Sequence, residues 1–421
     1  MLSKSLTIAF RNLWRNKAIS AIHVLGLALG IATCLLILLF IRHEWSYDRY
    51  NDKGDRIVRV IFRGRMNGGE IKEANVMPPV AATLRKDFPE VEEATRLRAN
   101  GIHRISYGTK TFREDAMAFA DSNFFRVFTL PLVKGDANTA LVQPNTVVIT
   151  QAVARKYFGN DDPIGKVLTF TDDHAALTVT GVIGGVPANS HFHFDLFASM
   201  ASLPEAKDPS WMTSNFFTYL LLPAGYDAKK LEAKLPGVVD KYMGPQLQKE
   251  MGVSLTQFRA SGNDIGFFLQ PLTDIHLHSD LTGDLSAPGD IRYVYIFGAV
   301  AVFMLLIACF NFMNLSTAGA SKRAKEVGIR KVLGSLRGQL IGQFLVESLL
   351  LTLTAMGMAL VLVVLALPFF SRLAGHDLAL GWSALPWLLP VLILFTLLTG
   401  LLAGAYPAFF LSAFRPVAVL K

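Results

Sequence analysis

Ser321–Gly334 reads SKRAKEVGIRKVLG, a short basic segment caught between two apolar runs, each long enough to cross a bilayer. Lys322, Glu326 and Arg330 are spaced four apart, so on a helix they stack as cation, anion and cation along one face. Gly334 is placed to end that helix and Ser335 to cap the next, which runs directly into apolar sequence. The segment predicts a short charged helix held against a membrane surface, and the rest of the chain is organised by which side that surface is on.

The composition agrees with a membrane protein. Of 421 residues, 52% are hydrophobic and only 18% charged, and the mean hydropathy is +0.37. The formal charge is +8, but it is concentrated in three places. Lys4, Arg11, Arg15 and Lys17 lie before the first apolar run, the 318–340 stretch carries six Lys or Arg against Glu326, and Arg415 and Lys421 close the chain. These segments together hold more positive charge than the whole chain, so the remainder is net acidic. Cations flanking apolar spans follow the positive-inside pattern and exclude a nucleic-acid face. The two cysteines, Cys34 and Cys309, fall inside apolar spans, so no disulfide framework supports the large polar region between them.

In chain order, residues 1–18 predict an amphipathic interfacial helix, with Leu2, Leu6, Ala9, Phe10 and Leu13 opposite Lys4, Arg11 and Arg15. Residues 19–42 form the first span, too long for a signal peptide and followed by charge without a cleavage site. Residues 43–291 have globular composition. Strands are expected at 57–63 and 91–98 around a helix at 78–88, and again at 218–222 and 266–272 around a helix at 228–243. Residues 103–200 are richer in strands, expected at 147–150, 167–170, 177–183 and 193–197, with a helix at 152–158. Spans follow at 292–318, 340–370 and 385–414, separated by a 319–339 loop and a 371–384 loop and followed by a 415–421 tail. The fold class is a membrane protein of four transmembrane helices, with a large two-lobed α+β domain outside the cytoplasm between the first and second. The charge pattern puts both termini and the 319–339 loop in the cytoplasm and residues 43–291 outside.

No catalytic motif emerges. Gly159–Lys166, GNDDPIGK, has five residues between its glycines instead of four and no Ser or Thr after the lysine, so it reads as a turn and not a phosphate loop. The pairs His191/His193 and His276/His278 would each share a strand face, but two imidazoles do not make a metal site, and no metal is expected. There is no Gly-x-Ser-x-Gly elbow or His-Glu-x-x-His. Phe124–Phe125 and Phe216–Phe217 read as core pairs more readily than as a lipid or drug surface. Within the spans, Gly26/Gly30 and Gly400/Gly404 form GxxxG patterns that permit close helix approach. Asn311 and Asn314 share a face and are expected to hydrogen-bond across helices. Glu347 lies inside the third span, where an exposed carboxylate costs about 2.5–3.5 kcal/mol, so it is expected to face protein, water or a cation.

Several stretches together resemble the MacB-like/FtsX-like permeases of ABC transporters, the mechanotransmission type with a MacB-like periplasmic core domain. They are RNLWRNK at 11–17, VVITQAVARKYFGNDDPIGK at 147–166, TVTGVIGGVPANSHFHFD at 178–195, RAKEVGIRKVLG at 323–334, QFLVES at 343–348 and YPAFFLSAFRPVAVLK at 406–421. The resemblance implies a bacterial inner-membrane permease subunit that has no ATPase of its own. It implies a separate cytoplasmic ABC ATPase supplying ATP and Mg, a dimer or paired permease unit, and a periplasmic adaptor as a further candidate partner. The coupling positions would be Lys322, Arg323, Glu326, Val327, Gly328, Arg330, Lys331 and Gly334. ATP-driven motion would move the outer domain for export or extraction of a substrate that the sequence does not identify. The alternative is an FtsX-like regulator that transmits the same motion to a periplasmic hydrolase or signalling partner.

Overall fold

The computed structural model describes residues 17–171, 174–318, 327–329, 331–375 and 385–413, in two compact units that meet in the chain at 43/44 and 291/292. The expected 1–18 helix (from 17 on excepted), the 376–384 part of the external loop and the tail from 414 lie outside the described residues.

Four apolar helices of bilayer length form one unit: Lys17–Trp45, Ile291–Ala318, Arg337–Ala374 and Leu385–Ser412. The third outruns the expected 340–370 at both ends, because Ser371–Ala374 continue it until Gly375 turns left-handed at φ 71°. Its cap is not Ser335. Leu336 takes the extended cap conformation, and Gln339 Oε1 folds back to accept the Leu336 N–H at 3.1 Å. The helices pack through Leu27, Ile31, Ala308, Phe312, Leu351, Ala355 and Ala403, a mixture of small and branched residues that lets backbones approach. Cys34 and Cys309 are both buried free thiols in this unit.

The Glu44–Ile291 unit is built on one mixed sheet of thirteen strands. The strands are β1 (Ile57–Met66), β2 (Gly69–Glu73), β3 (Glu93–Ala99), β4 (His103–Tyr107), β5 (Lys110–Glu114), β6 (Met117–Ala120) and β7 (Leu132–Lys134). They continue as β8 (Thr146–Thr150), β9 (Val167–Phe170), β10 (Ala176–Ile183), β11 (Leu196–Ser199), β12 (Phe217–Leu221) and β13 (Asp264–Pro271). The main path runs β13-β1-β12-β3-β6-β11-β8-β10-β9-β4-β5, with β2 added on β1 and β7 on β10. Asn67 and Gly68 connect β1 to β2 in a two-residue hairpin, both with positive φ (52° and 80°), as the twist of antiparallel strands favours.

The two lobes separate on one face of this sheet and merge on the other. Side chains alternate along a strand. On β1, Val58, Val60 and Phe62 point to one core with Val80, Leu84, Leu231 and Val239, while Ile57 and Ile61 point to another. On β8 and β11, Val147, Ile149, Leu196 and Ala198 pack with Val153 and Tyr157 from helix Gln151–Phe158. Val148 and Phe197 turn to the opposite face and join Ile57, Ile61 and Tyr219. That shared core is aromatic, with Phe124, Phe128, Phe192 and Phe197 in contact. The β3–β6 pairing, Leu97 opposite Ala120, carries the sheet from one lobe to the next. Phe124, Phe125, Phe216 and Phe217 are all buried.

Three expected elements differ. The 228–243 helix is broken into Ala228–Glu232, Pro236–Val238 and a π turn Val239–Met243, because Pro236 supplies no N–H to continue the ladder. The 193–197 strand starts only at Leu196, so His191 and His193 sit in irregular chain. His276 and His278 lie on the helical turn Ile275–His278 and not on a strand.

Arg59 is the one charge in the otherwise apolar start of β1, and it is fully buried. Its guanidinium pairs with the carboxylate of Asp284, whose other oxygen accepts from Ser279 Oγ at 2.6 Å, and donates to Gln270 Oε1 at 2.7 Å. Truncation would leave Asp284 buried without its cation. R59A is expected to lower the unfolding free energy of segment 44–291 by about 3–5 kcal/mol in urea melts. A loss below about 1 kcal/mol would mean that the pair does not hold the domain together.

Candidate coupling site

Two sets of residues stand out, one at the surface of the helical unit and one where the two ends of the outer domain's chain meet. In the first, Val327–Ile329 are helical, Leu333 N–H closes the turn on the Ile329 carbonyl at 3.0 Å, and Gly334 ends it at φ 92°. The positive φ is what a glycine supplies without a steric cost. Val327 is buried against Leu340 and Phe344 of the third helix and Ala408 and Leu411 of the fourth. Lys331 Nζ donates to the Ser412 carbonyl at 2.8 Å, placing a cation on the C-terminal end of the fourth helix, where the dipole favours it. Gly328 is buried too. Ile329, Val332 and Leu336 are exposed, and Leu333 is 79% exposed. The segment therefore grips its own helices on one side and offers an apolar strip on the other. Lys322, Arg323, Glu326 and Arg330 lie outside the described residues, so the ladder read from the sequence has no counterpart to report.

The second set joins the two ends of the outer domain. Glu44, in the last turn of helix Lys17–Trp45, pairs with His276 Nε2 at 2.9 Å, and the Tyr47 ring stacks on that imidazole at 3.4 Å. Gly289 comes so close that a Cβ there would lie 2.8 Å from both Glu44 and His276. Deeper in, Asp48 holds the left-handed conformation at φ 58°, and its carboxylate accepts from His191 Nδ1 at 2.8 Å. The other imidazole nitrogen meets the Tyr219 hydroxyl at 2.7 Å. Burial pushes the Tyr219 phenol up, so it stays protonated. Ser286 Oγ donates to the His191 carbonyl at 2.8 Å, and Asn189 Nδ2 to the Ser46 carbonyl at 2.8 Å. Residues 44–51, 189–191 and 276–289 are thus one hydrogen-bonded knot. Sequence reading missed it because its partners are 143 and 232 positions apart.

The comparisons with known proteins match the chain in two parts. A MacB-like periplasmic core domain model matches residues 20–238, and an FtsX-like permease C-terminal model matches residues 298–416. The chain belongs to the MacB/FtsX-like family of ABC transporter permeases. It is 31% identical over 336 residues to the uncharacterized ABC transporter permease YknZ of Bacillus subtilis, covering 78% of this chain and 71% of that one. It is 22% identical over 436 residues to the macrolide export ATP-binding/permease protein MacB of Chlorobium luteolum, covering 98% of this chain and 59% of the relative. The crystal structure of the periplasmic region of MacB from Actinobacillus actinomycetemcomitans aligns at 18% identity and a TM-score of 0.34, covering 53% of this chain and 91% of that one. The chain spans about three fifths of the length of the MacB relatives it matches. This permease is a multi-pass membrane protein with a periplasmic domain between its first and second spans.

The remaining site residues of the permease fall as follows. His193 reaches the Ala188 carbonyl at 3.2 Å, and His278 lies 3.9 Å from Asp274. No group of three His, Cys, Asp or Glu side chains gathers as around a metal among the described residues. The 159–166 segment is a turn into β9, its Asp161 and Asp162 paired with Lys166 and Lys134 at 3.2 and 3.0 Å. Glu347 is buried at 5% exposure on the third helix. Asn311 and Asn314 are both exposed on the second helix, with Asn311 Nδ2 turned toward Gly26 of the first, and neither side chain hydrogen-bonds another described residue.

The GxxxG patterns acquire partners. A Cβ on Gly30 would lie 2.5 Å from Ala308 Cβ, and one on Gly26 3.1 Å from Asn311 Nδ2, both on the second helix. A Cβ on Gly404 would lie 2.7 Å from Ser348 and one on Gly400 3.0 Å from Leu349, both on the third. Gly357 meets nothing within 4 Å. G30A and G404A are each expected to destabilise the bundle by about 1–3 kcal/mol, through overpacking. G357A should be neutral or stabilising. Thermal unfolding of the purified protein in detergent checks this, and equal effects at all three positions would contradict the packing described.

Proposed function

We propose that this chain is the membrane subunit of an ABC machine in which a separate cytoplasmic ATPase, binding ATP and Mg, works through residues 321–334. Both termini and that segment would be cytoplasmic, and the chain itself would hydrolyse nothing. ATPase closure would push on the segment, and the helices would carry the displacement to the 44–291 domain, driving export or extraction of a periplasmic substrate. A second permease unit would complete the machine, and an adaptor could engage the outer domain.

The observation that carries this reading is the two-sided character of the 327–336 segment. Its buried side, Val327 and Lys331, is fixed to the third and fourth helices, while Ile329, Val332, Leu333 and Leu336 are exposed on the other. Exposed leucines at a membrane-flanking turn are what a protein partner needs for a desolvated contact. The basic residues around them would steer an acidic partner surface.

The test pairs the permease with a candidate ABC ATPase subunit from the same organism. L333D, or joint charge reversal at Lys322, Glu326 and Arg330, is expected to reduce co-purification of the ATPase at least tenfold, while the permease stays folded by thermal unfolding. Full co-purification and ATP-dependent activity in both variants would contradict the proposal.

A further inference from the structure

A cleft of about 450 Å³ opens in the outer domain between helix Val80–Asp87, strand β3 and the turn Asp121–Arg126. Its volume falls within the range of small-molecule sites. Four cations line it, Arg85, Lys86, Arg96 and Arg126, against the single carboxylate of Asp121. Arg96 is a fixed floor. It forks onto both Asp121 oxygens at 3.0 Å and donates to the carbonyls of Pro78 and Ala206 at 3.0 and 2.9 Å, so those two charges cancel.

The other three cations are not balanced. Arg85 and Arg126 both lean on one carboxylate, Glu93, at 3.1 and 3.6 Å, and Glu93 already accepts from Asn123 Nδ2 at 2.8 Å. Lys86 Nζ and the Ser122 hydroxyl have no hydrogen-bond partner among the described residues. Asp87, next to Lys86 in the chain, is engaged elsewhere, with Lys241 at 2.9 Å and Tyr242 at 2.8 Å. The cleft therefore holds two more positive charges than its neighbours neutralise. Arg85 and Arg126 are 52% and 43% exposed, and pairs that open to solvent hold weakly, so both guanidiniums can turn to a ligand.

We propose that this cleft binds a dianionic phosphate group, taken by Arg85, Lys86, Arg126 and Ser122 and bridging the two lobes of the domain. A carboxylate monoanion would neutralise only one of these charges, as Glu93 does while shared between Arg85 and Arg126. An excess of two charges and a set of forked donors suit a tetrahedral dianion, which accepts several charge-assisted hydrogen bonds at once. The source is either a lipid headgroup phosphate or a soluble phosphate ester. The inference stands apart from the ATPase reading, since it concerns only the outer domain.

The experiment uses the full chain in nanodiscs of zwitterionic lipid and isothermal titration calorimetry. The titrants are inorganic phosphate, glycerol 3-phosphate, short-chain phosphatidic acid and, as a monoanion control, acetate. Saturable phosphate binding is expected, weakened at least tenfold in the K86A/R126A variant and by rising salt, and unchanged in K134A, whose side chain pairs with Asp162 and does not line the cleft. Tighter binding of phosphatidic acid than of glycerol 3-phosphate would support the lipid source, and equal binding the soluble one. Absence of saturable phosphate binding, equal binding of acetate, or unchanged affinity in a K86A/R126A variant that melts like the native chain would overturn the proposal.

Discussion

The absence of water in the hydrocarbon layer is the constraint on which the rest of this molecule depends. Backbone groups in that layer must bond within their own segment, so four helices span it and irregular chain is confined to its surfaces. Short basic pieces flank the spans, and the large polar region is a single insertion between the first and second. With little hydrophobic drive between helices in lipid, contact comes from close approach. The glycines on the first and fourth helices provide it against the second and third.

The outer domain answers a different problem, which is staying rigid without disulfides. One continuous sheet runs through both lobes, and its shared aromatic face joins them where the opposite face is divided. At its base, Asp48, His191 and Tyr219 and the Arg59–Asp284 pair sit where chain ends converge. Buried polar groups of this kind cost stability unless fully paired, and when paired they fix one geometry.

Much of the architecture was legible in the sequence, for physical reasons. Apolar length marked the spans, and short β-branched apolar runs, IVRVIF and TVVIT, marked β1 and β8. Arg59 within IVRVIF was a signal of a buried ion pair that composition alone did not resolve. Other features depend on contacts far apart in the chain. The Glu44–His276 and Asp48–His191 ties, and the gathering of Arg85 with Arg126, follow from sheet topology and not from spacing.

The proposed function rests on sidedness: a small cationic segment on one side of the membrane would drive a large folded domain on the other. Cys34 and Cys309 are buried in the spans, so a chain with both replaced by alanine can carry single reporter cysteines at Asn160 and Lys325. Labelling of sealed right-side-out vesicles with a membrane-impermeant maleimide tests the claim directly. The account predicts that position 160 reacts at once and position 325 only after permeabilisation. Reaction of both from the same side would contradict it.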